Sequence, residues 1–419
     1  MSAAVKEALG KARVPKPGYK LALLACALAC VVIVLGAFTR LKDAGLGCPD
    51  WPTCYGHLWV PNEAHEIAVA NEKFADTPVE VHKTWPEQTH RIFASSLGLL
   101  GIVIFVLAIR RRDAGHPWRS IIALLVLLVA GTVTRAIVGH TMDPVLGVLV
   151  AAYFVWLAWL ASRRGTSYSP LKLPAFIAGF MVLQGLFGMW TVTLKVWPQV
   201  VTAHLLGGFT MLSVLLLLQL RLQNRPWQLP AQEWQRLRSL KTFALVALIV
   251  VIVQIALGGW TASNYAAVAC PDFPTCQAQW LPPTDFYDAF NFSQHIGPNY
   301  LGGKLDNDAR VTIHLMHRLG AIITTLVLVT LVALGLKAAV TSRVRNQFIL
   351  VAVILLLQVL LGVGNVVLHF PLPVTVSHNA VGALLLLTMV TLNYRLHTAQ
   401  SSAELFTDPF TQERAGETP

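Results

Sequence analysis

The sequence predicts an all-α polytopic membrane protein. Two tandem four-helix bundles are related by a pseudo-twofold axis along the membrane normal, with an extra two-helix hairpin in the first half. Three observations predict it. Hydrophobic residues fill 55% of the 419 positions and charged residues only 13%, more apolar chain than a soluble core covers. Ten apolar runs are close to the roughly 20 residues that cross a bilayer: 20–39, 91–109, 120–140, 145–162, 173–194, 201–220, 242–262, 313–336, 346–368 and 375–394. Residues 33–54 recur as 255–276 at a constant offset of 222 residues, both copies ending in Cys-Pro-Asp-aromatic-Pro-Thr-Cys.

Hydrocarbon offers backbone N–H and C=O groups no partner, so each run closes its own hydrogen bonds as a helix, and none alternates as a barrel strand would. The net charge of +11 points to membrane orientation and not to nucleic acid. The basic residues, among them Lys16, Lys20, Arg110, Arg221, Arg225, Arg343 and Arg345, fall in connections that the positive-inside rule puts in the cytoplasm. Both termini are then cytoplasmic, and the long loops 41–86 and 263–312 lie outside. The expected organisation is a cytoplasmic N-terminus 1–19, a first bundle 20–222 with the hairpin 120–162 inserted, a cytoplasmic linker 223–241, a second bundle 242–395 and a cytoplasmic tail 396–419. No cleavable signal or organelle presequence is evident, which favours a bacterial inner membrane.

The repeat carries histidines. Glu87-Gln-Thr-His90-Arg91 recurs as His314-Leu-Met-His317-Arg318, and Gln184, Gly188 and His204 recur as Gln358, Gly362 and His378. The first pair of histidines is 227 residues apart and the second 174, so the first half holds 53 extra residues, the size of the hairpin. His90 and His317 are expected to open their helices just after the long loops, and His204 and His378 to open the last helix of each bundle, all near the outer face. Histidine in a membrane helix is costly without a partner. Two imidazoles per bundle, in an apolar slot without a fuller set of metal ligands, suit the axial positions of haem iron.

Arg91 and Arg318 follow the first histidine of each pair and are placed to meet anionic propionates, or else snorkel to the interface. Glu87 precedes His90 by three residues on one helical face, where the second copy has His314. It is a candidate base or water-orienting group, or a first-turn acid favoured by the helix dipole. Cys48 with Cys54 and Cys270 with Cys276 lie in the outer loops, where an oxidising compartment permits a disulfide in each, the alternative being reactive thiols. Cys26 and Cys30 share a face of the first span and read as packing. Arg135 and His140 in the hairpin read as snorkelling or loop hydrogen bonding.

Taken together, G-A-F-T-R-L-K-D-A-G-L-G-C-P-D-W-P-T-C-Y-G, E-Q-T-H-R, Q-G-L-F-G-M-W-T-V-T with V-V-T-A-H-L-L-G-G, and V-T-V-S-H-N-A-V-G-A-L-L-L-L resemble the haem A synthase family over nearly the whole chain, apart from the termini and the 120–162 hairpin. The resemblance implies oxidation of a ring methyl of haem O to a formyl group by successive hydroxylation. It implies haem b as a permanent cofactor on His317 and His378, haem O as substrate on His90 and His204, and Glu87 as the functional acid. It also implies a redox or haem-transfer role for the first cysteine pair. Haem O synthase, oxidase assembly factors and a second copy of the chain are the partners it suggests, besides membrane lipid. The family usually has eight spans, so the hairpin is a departure. The alternatives are a bis-histidine electron-transfer cytochrome, which would stack its haems at opposite depths, and a haem carrier, which would have no use for Glu87.

Overall fold

The computed structural model describes residues 15–110, 118–138, 143–162, 172–293 and 299–402. His140 and the side chain of Arg135 lie outside the described residues. Helices dominate, in the order α1 (Tyr19–Leu41), α2 (Ala64–Lys73), α3 (Val81–Arg110), α4 (Trp118–Val138), α5 (Asp143–Ser162), α6 (Lys172–Thr193), α7 (Pro198–Gln223), α8 (Ala231–Arg238), α9 (Lys241–Ser263), α10 (Phe286–Ala289), α11 (Asn307–Ala338), α12 (Ser342–Val367) and α13 (Leu372–Thr398). Eight of these, α1, α3, α6, α7, α9, α11, α12 and α13, are long and apolar enough to cross a membrane. The hairpin helices α4 and α5 are apolar over the shorter stretches Ile121–Thr134 and Pro144–Trp159. The chain is therefore a multi-pass membrane protein.

The chain forms two compact units. One holds residues 20–218 with 299–301, the other residues 15–19, 219–293 and 302–402. In the first unit close contacts join four helices in a ring. Gly36 of α1 meets His90 of α3, Gly101 of α3 meets Met181 of α6, Gly207 of α7 meets Gln184 of α6, and Gly208 of α7 meets Ile33 of α1. The second unit closes likewise, through Gly258 of α9 against His317 of α11, Gly335 of α11 against Phe348 of α12, and Gly362 of α12 against His378 of α13. The Asn393 side chain of α13, donating to the Ala244 carbonyl of α9 at 2.9 Å, completes it. Glycine at these contacts lets helices approach where dispersion and small-residue packing, not the hydrophobic effect, drive association in lipid.

The hairpin is fastened to α6. Tyr153 is buried with its ring in the space left by Gly179, and its hydroxyl donates to the Ala175 carbonyl at 2.7 Å. Phe105, Ile121, Ala175 and Ala178 form an apolar seam among α3, α4 and α6.

Helices α3 and α11 begin well before the apolar runs do. His90 lies nine residues into α3 and His317 ten into α11, so the expectation that these histidines open their helices is corrected. His204 and His378 likewise sit six residues into α7 and α13. An apolar run marks only the stretch suited to lipid. The preceding turns stay helical because the long loops cover them, burying Thr84, Pro86, Glu87 and Gln88 in α3, and Ala309, Val311, Thr312, Ile313 and His314 in α11.

At the far end of the second unit, residues 223–241 do more than connect. Strand β1 (Gln228–Leu229) pairs in parallel with β2 (Gln400–Ser401). Trp227 is buried under Arg395, and the Trp234 indole donates to the Ala399 carbonyl at 3.1 Å. Buried Glu233 accepts from the backbone N–H groups of Val340 and Thr341 at 2.8 and 3.0 Å. A carboxylate there satisfies donors that the start of α12 leaves open.

Candidate functional site

In each unit the two repeated histidines stand on helices that are not neighbours in the ring, α3 and α7 in the first, α11 and α13 in the second. Each faces a glycine on the helix between. A Cβ on Gly36 would come 2.9 Å from Cε1 of His90, and one on Gly188 3.5 Å from Cε1 of His204. In the second unit Gly258 and Gly362 stand 3.1 Å from His317 and His378 by the same measure. The rings of each pair lie within electrostatic reach of one another. Nδ1 of His90, His204 and His378 is buried without a hydrogen-bond partner among the described residues. A buried ring nitrogen without a partner is expensive, so both imidazoles of the first unit and His378 of the second carry a nitrogen in want of a partner.

The second unit braces its rings more closely. The Gln254 amide nitrogen lies 3.1 Å from Nδ1 of His317 and donates to the His317 carbonyl at 3.0 Å, and the Gln358 amide lies 3.4 Å from Nε2 of His378. Such partners fix the ring plane. Position 32, the repeat equivalent of Gln254, is Val.

Above each pair sits a disulfide loop, and both bridges form, Cys48–Cys54 and Cys270–Cys276. An aspartate organises each. Asp50 accepts from the N–H groups of Tyr55 and Gly56 and from the Thr53 hydroxyl. Asp272 accepts from the N–H groups of Gln277 and Ala278 and from the Thr275 hydroxyl. These bonds, the Thr275 hydroxyl first, hold the Asp272 carboxyl below the ordinary carboxylate range. Burial, with Glu80, Asp50 and Glu87 nearby, pushes the Tyr55 phenol up to about 12, so it stays a donor to the Thr77 carbonyl.

The two arginines bind these loops. Arg91 donates to the carbonyls of Asp50 and Thr53, both at 2.8 Å, and more distantly to that of Cys48. Arg318 donates to Thr275 and Asp272, both at 2.8 Å, and more distantly to Cys270 and Pro274. A planar fork of donors suits this clamp. Propionate pairing had been the sequence-based expectation. The partners the structure gives both guanidinium groups are loop carbonyls, and Arg318 keeps a buried, unpartnered Nε.

Glu87 is where the units differ. Its carboxylate pairs with Arg91 and accepts from the Cys48 N–H at 3.0 Å, and it is buried one turn before His90. The helix thus carries acid, histidine and arginine on adjoining positions, with the acid tied to the disulfide. His314 stands at the matching place, buried, with Nδ1 unpartnered and its ring near the carbonyls of Ala266 and Ala267. Among the described residues no group of three or more His, Cys, Asp or Glu is placed to hold a bare metal ion.

A sequence model of the COX15-CtaA family, described as cytochrome oxidase assembly protein, matches residues 19–145 and 142–390. The chain belongs to the COX15-CtaA family. Among curated members, heme A synthase of Shewanella oneidensis is 41% identical over 89% of this chain and 94% of its own length. Heme A synthase of Nitrosospira multiformis is 25% identical over 90% and 92%, and that of Cereibacter sphaeroides 27% over 87% and 83%. The family match takes in α1, α3, α6, α7, α9, α11, α12 and most of α13, hence all four histidines, Glu87 and both disulfide loops of this COX15-CtaA member.

The sequence shows Gly188 and Gly362 as a recurring pair, and the structure adds Gly36 and Gly258 as the glycines facing His90 and His317. A signal was present: Gly36 and Gly258 are themselves a pair at the 222-residue offset. Asp50 and Asp272 were visible as part of the repeated motif, but their work in the turn needs coordinates.

Proposed function

We propose that this chain is a haem A synthase that oxidises a ring methyl of haem O to a formyl group. The observation that carries the reading is the match, over most of both chains, to relatives named for that activity. Paired imidazoles, three of the four with an unpartnered Nδ1 and each facing a glycine, fit a flat iron macrocycle. His90 and His204 would hold haem O in the first unit, and His317 and His378 a permanent haem b in the second. A haem b bound there supplies a one-electron path away from the substrate.

Written with water as the oxygen source, each hydroxylation converts a C–H to a C–OH bond and releases two protons and two electrons, and an electron acceptor outside this chain must take those electrons one at a time. Two hydroxylations in succession on one carbon give a hydrate that loses water to become the formyl group. Protons must be received near the reacting methyl, and Glu87, one helical turn from His90, is the acid this chain offers. Arg91 and the Cys48 N–H fix the carboxylate, while Arg91 and Arg318 keep positive charge beside each site. The membrane we assign is the bacterial inner membrane, with cytoplasmic termini and both sites near the outer face. A haem O synthase or an oxidase assembly factor would deliver or receive the product, and self-association is a further arrangement to examine.

The test is extraction and chromatography of haems from cells that make haem O, with and without this chain. Haem A should appear only with it, and unchanged haem O in both would sink the proposal. A second expectation concerns the glycines. Gly36→Ala puts a methyl group 2.9 Å from the His90 ring, too close without movement. Haem A yield should fall by about tenfold, a barrier change of about 1.4 kcal/mol, while haem b absorbance stays. Gly258→Leu should instead remove the low-spin haem b bands.

A further inference from the structure

The inserted hairpin is the part of the first unit that the proposed reaction does not explain, and it touches both supports of that unit's site. Leu146, near the start of α5, is fully buried against Leu186 and Met189 of α6, with Trp51, Val150 and Trp190 packed around them. Met189 follows Gly188, the glycine facing His204. Trp51 stands in the disulfide loop between Asp50 and Thr53, whose carbonyls hold Arg91, the partner of Glu87. One apolar cluster thus joins α5, the helix behind His204 and the loop above His90.

The second unit leaves the matching surface bare. At the repeat offsets, Leu360 takes the place of Leu186 and is 59% exposed, and Phe273 takes the place of Trp51 and is 49% exposed. Leu186 is fully buried and Trp51 partly so. The hairpin therefore covers, on the first unit, a face of α6 beside the disulfide loop whose second-unit counterparts, Leu360 and Phe273, are exposed. It does so rigidly, through Tyr153 in the space left by Gly179 and the seam at Phe105 and Ile121.

Haem O is a lopsided ligand, with a long prenyl chain on one edge of the ring and one particular methyl to be oxidised. Two axial histidines do not choose among rotations of a ring about the axis they define. An additional feature must set the rotation, and a permanent haem b, which lacks the chain, needs none. We propose that the hairpin is the specificity wall of the substrate site: by packing Leu146 against α6 and against Trp51 of the disulfide loop, it excludes the prenyl chain from that side and fixes which ring methyl is brought to Glu87. This rests on the haem O reading above.

The test uses the full chain in detergent, carrying Leu146→Ala, and Val150→Ala as a milder thinning of the same wall. Titration with haem O and with haem b, followed by visible absorbance and Soret circular dichroism, reports occupancy and ring setting without turnover. Wild type should prefer haem O in the first site. Leu146→Ala should reduce that preference by about fivefold and alter the Soret dichroism of bound haem O, with Val150→Ala changing both in the same direction but less. Leu360→Ala, at the second-unit counterpart of Leu186, should change neither. Chromatography of the products should reveal oxidised haem isomers besides haem A from Leu146→Ala. The proposal is overturned if both wall variants, with normal haem b bands as evidence of folding, keep wild-type preference and dichroism. Failure of the wild-type chain to convert haem O at all would instead remove the functional reading on which it rests.

Discussion

Purified His317→Ala and His378→Ala proteins should lack the sharp low-spin bands of haem b, whereas His90→Ala and His204→Ala proteins should keep them and make no haem A. The two outcomes differ because the pairs belong to separate units, each with its own ring of four helices. Deleting one axial imidazole would leave a bound haem b a single protein ligand, and the alanine methyl leaves a void beside Gly258 or Gly362. In the second unit the Gln254 amide would lose Nδ1 and keep the carbonyl of residue 317. Loss of bound haem b from either variant is therefore the expected result, read by visible spectroscopy and by haem extraction. If His317→Ala retained full low-spin haem b while His90→Ala lost it, the assignment of permanent and substrate sites would be reversed.

Glu87→Ala should hold haem b normally and accumulate haem O or a hydroxylated intermediate, with haem A formation down by about 10²–10⁴-fold, the range for a positioned acid or base. The same change strips Arg91 of its carboxylate, and both groups are buried, with side-chain exposures of 6% and 11%. Removing one member of a buried pair costs about 3–5 kcal/mol, lessened here because Arg91 keeps the Asp50 and Thr53 carbonyls. The structural and chemical effects separate in two further variants. Glu87→Gln retains an acceptor for the Cys48 N–H, so thermal stability should largely recover while haem A formation does not. Glu87→Ala with Arg91→Leu removes both charges and should be more stable than Glu87→Ala alone, yet equally inactive. Full activity in Glu87→Gln would show that the group acts only as a brace.

Much of this was legible in the sequence because the duplication made it so. A histidine alone in an apolar segment is ambiguous, but His90, His204, His317 and His378 at matched offsets define two like sites, and the same comparison isolates Glu87 against His314. The paired cysteines were legible for the same reason, the motif Cys-Pro-Asp recurring intact. What the sequence hid is set by tertiary packing. The starts of α3 and α11 were missed because their first turns are polar and held by loop burial, which hydropathy does not register. The loop carbonyls that Arg91 and Arg318 hold were not legible because acceptors about 40 residues away become neighbours only when the disulfide loop folds back. The hairpin could be counted from the offset, but that Leu146 meets Trp51 follows from no local pattern.

The pairing of Gln400–Ser401 with Gln228–Leu229 has a practical side. Residues 400–402 are knitted into the connection between the two units' sequences, through Gln400 N–H to the Trp227 carbonyl and Ser402 N–H to that of Leu229, both 2.8 Å. An affinity handle or reporter fused directly after Thr398 would unpick that seam and free the Trp234 indole, whereas one added past Ser402 would leave it intact. For anyone preparing this protein, the choice of where to join a tag is already written at that short strand.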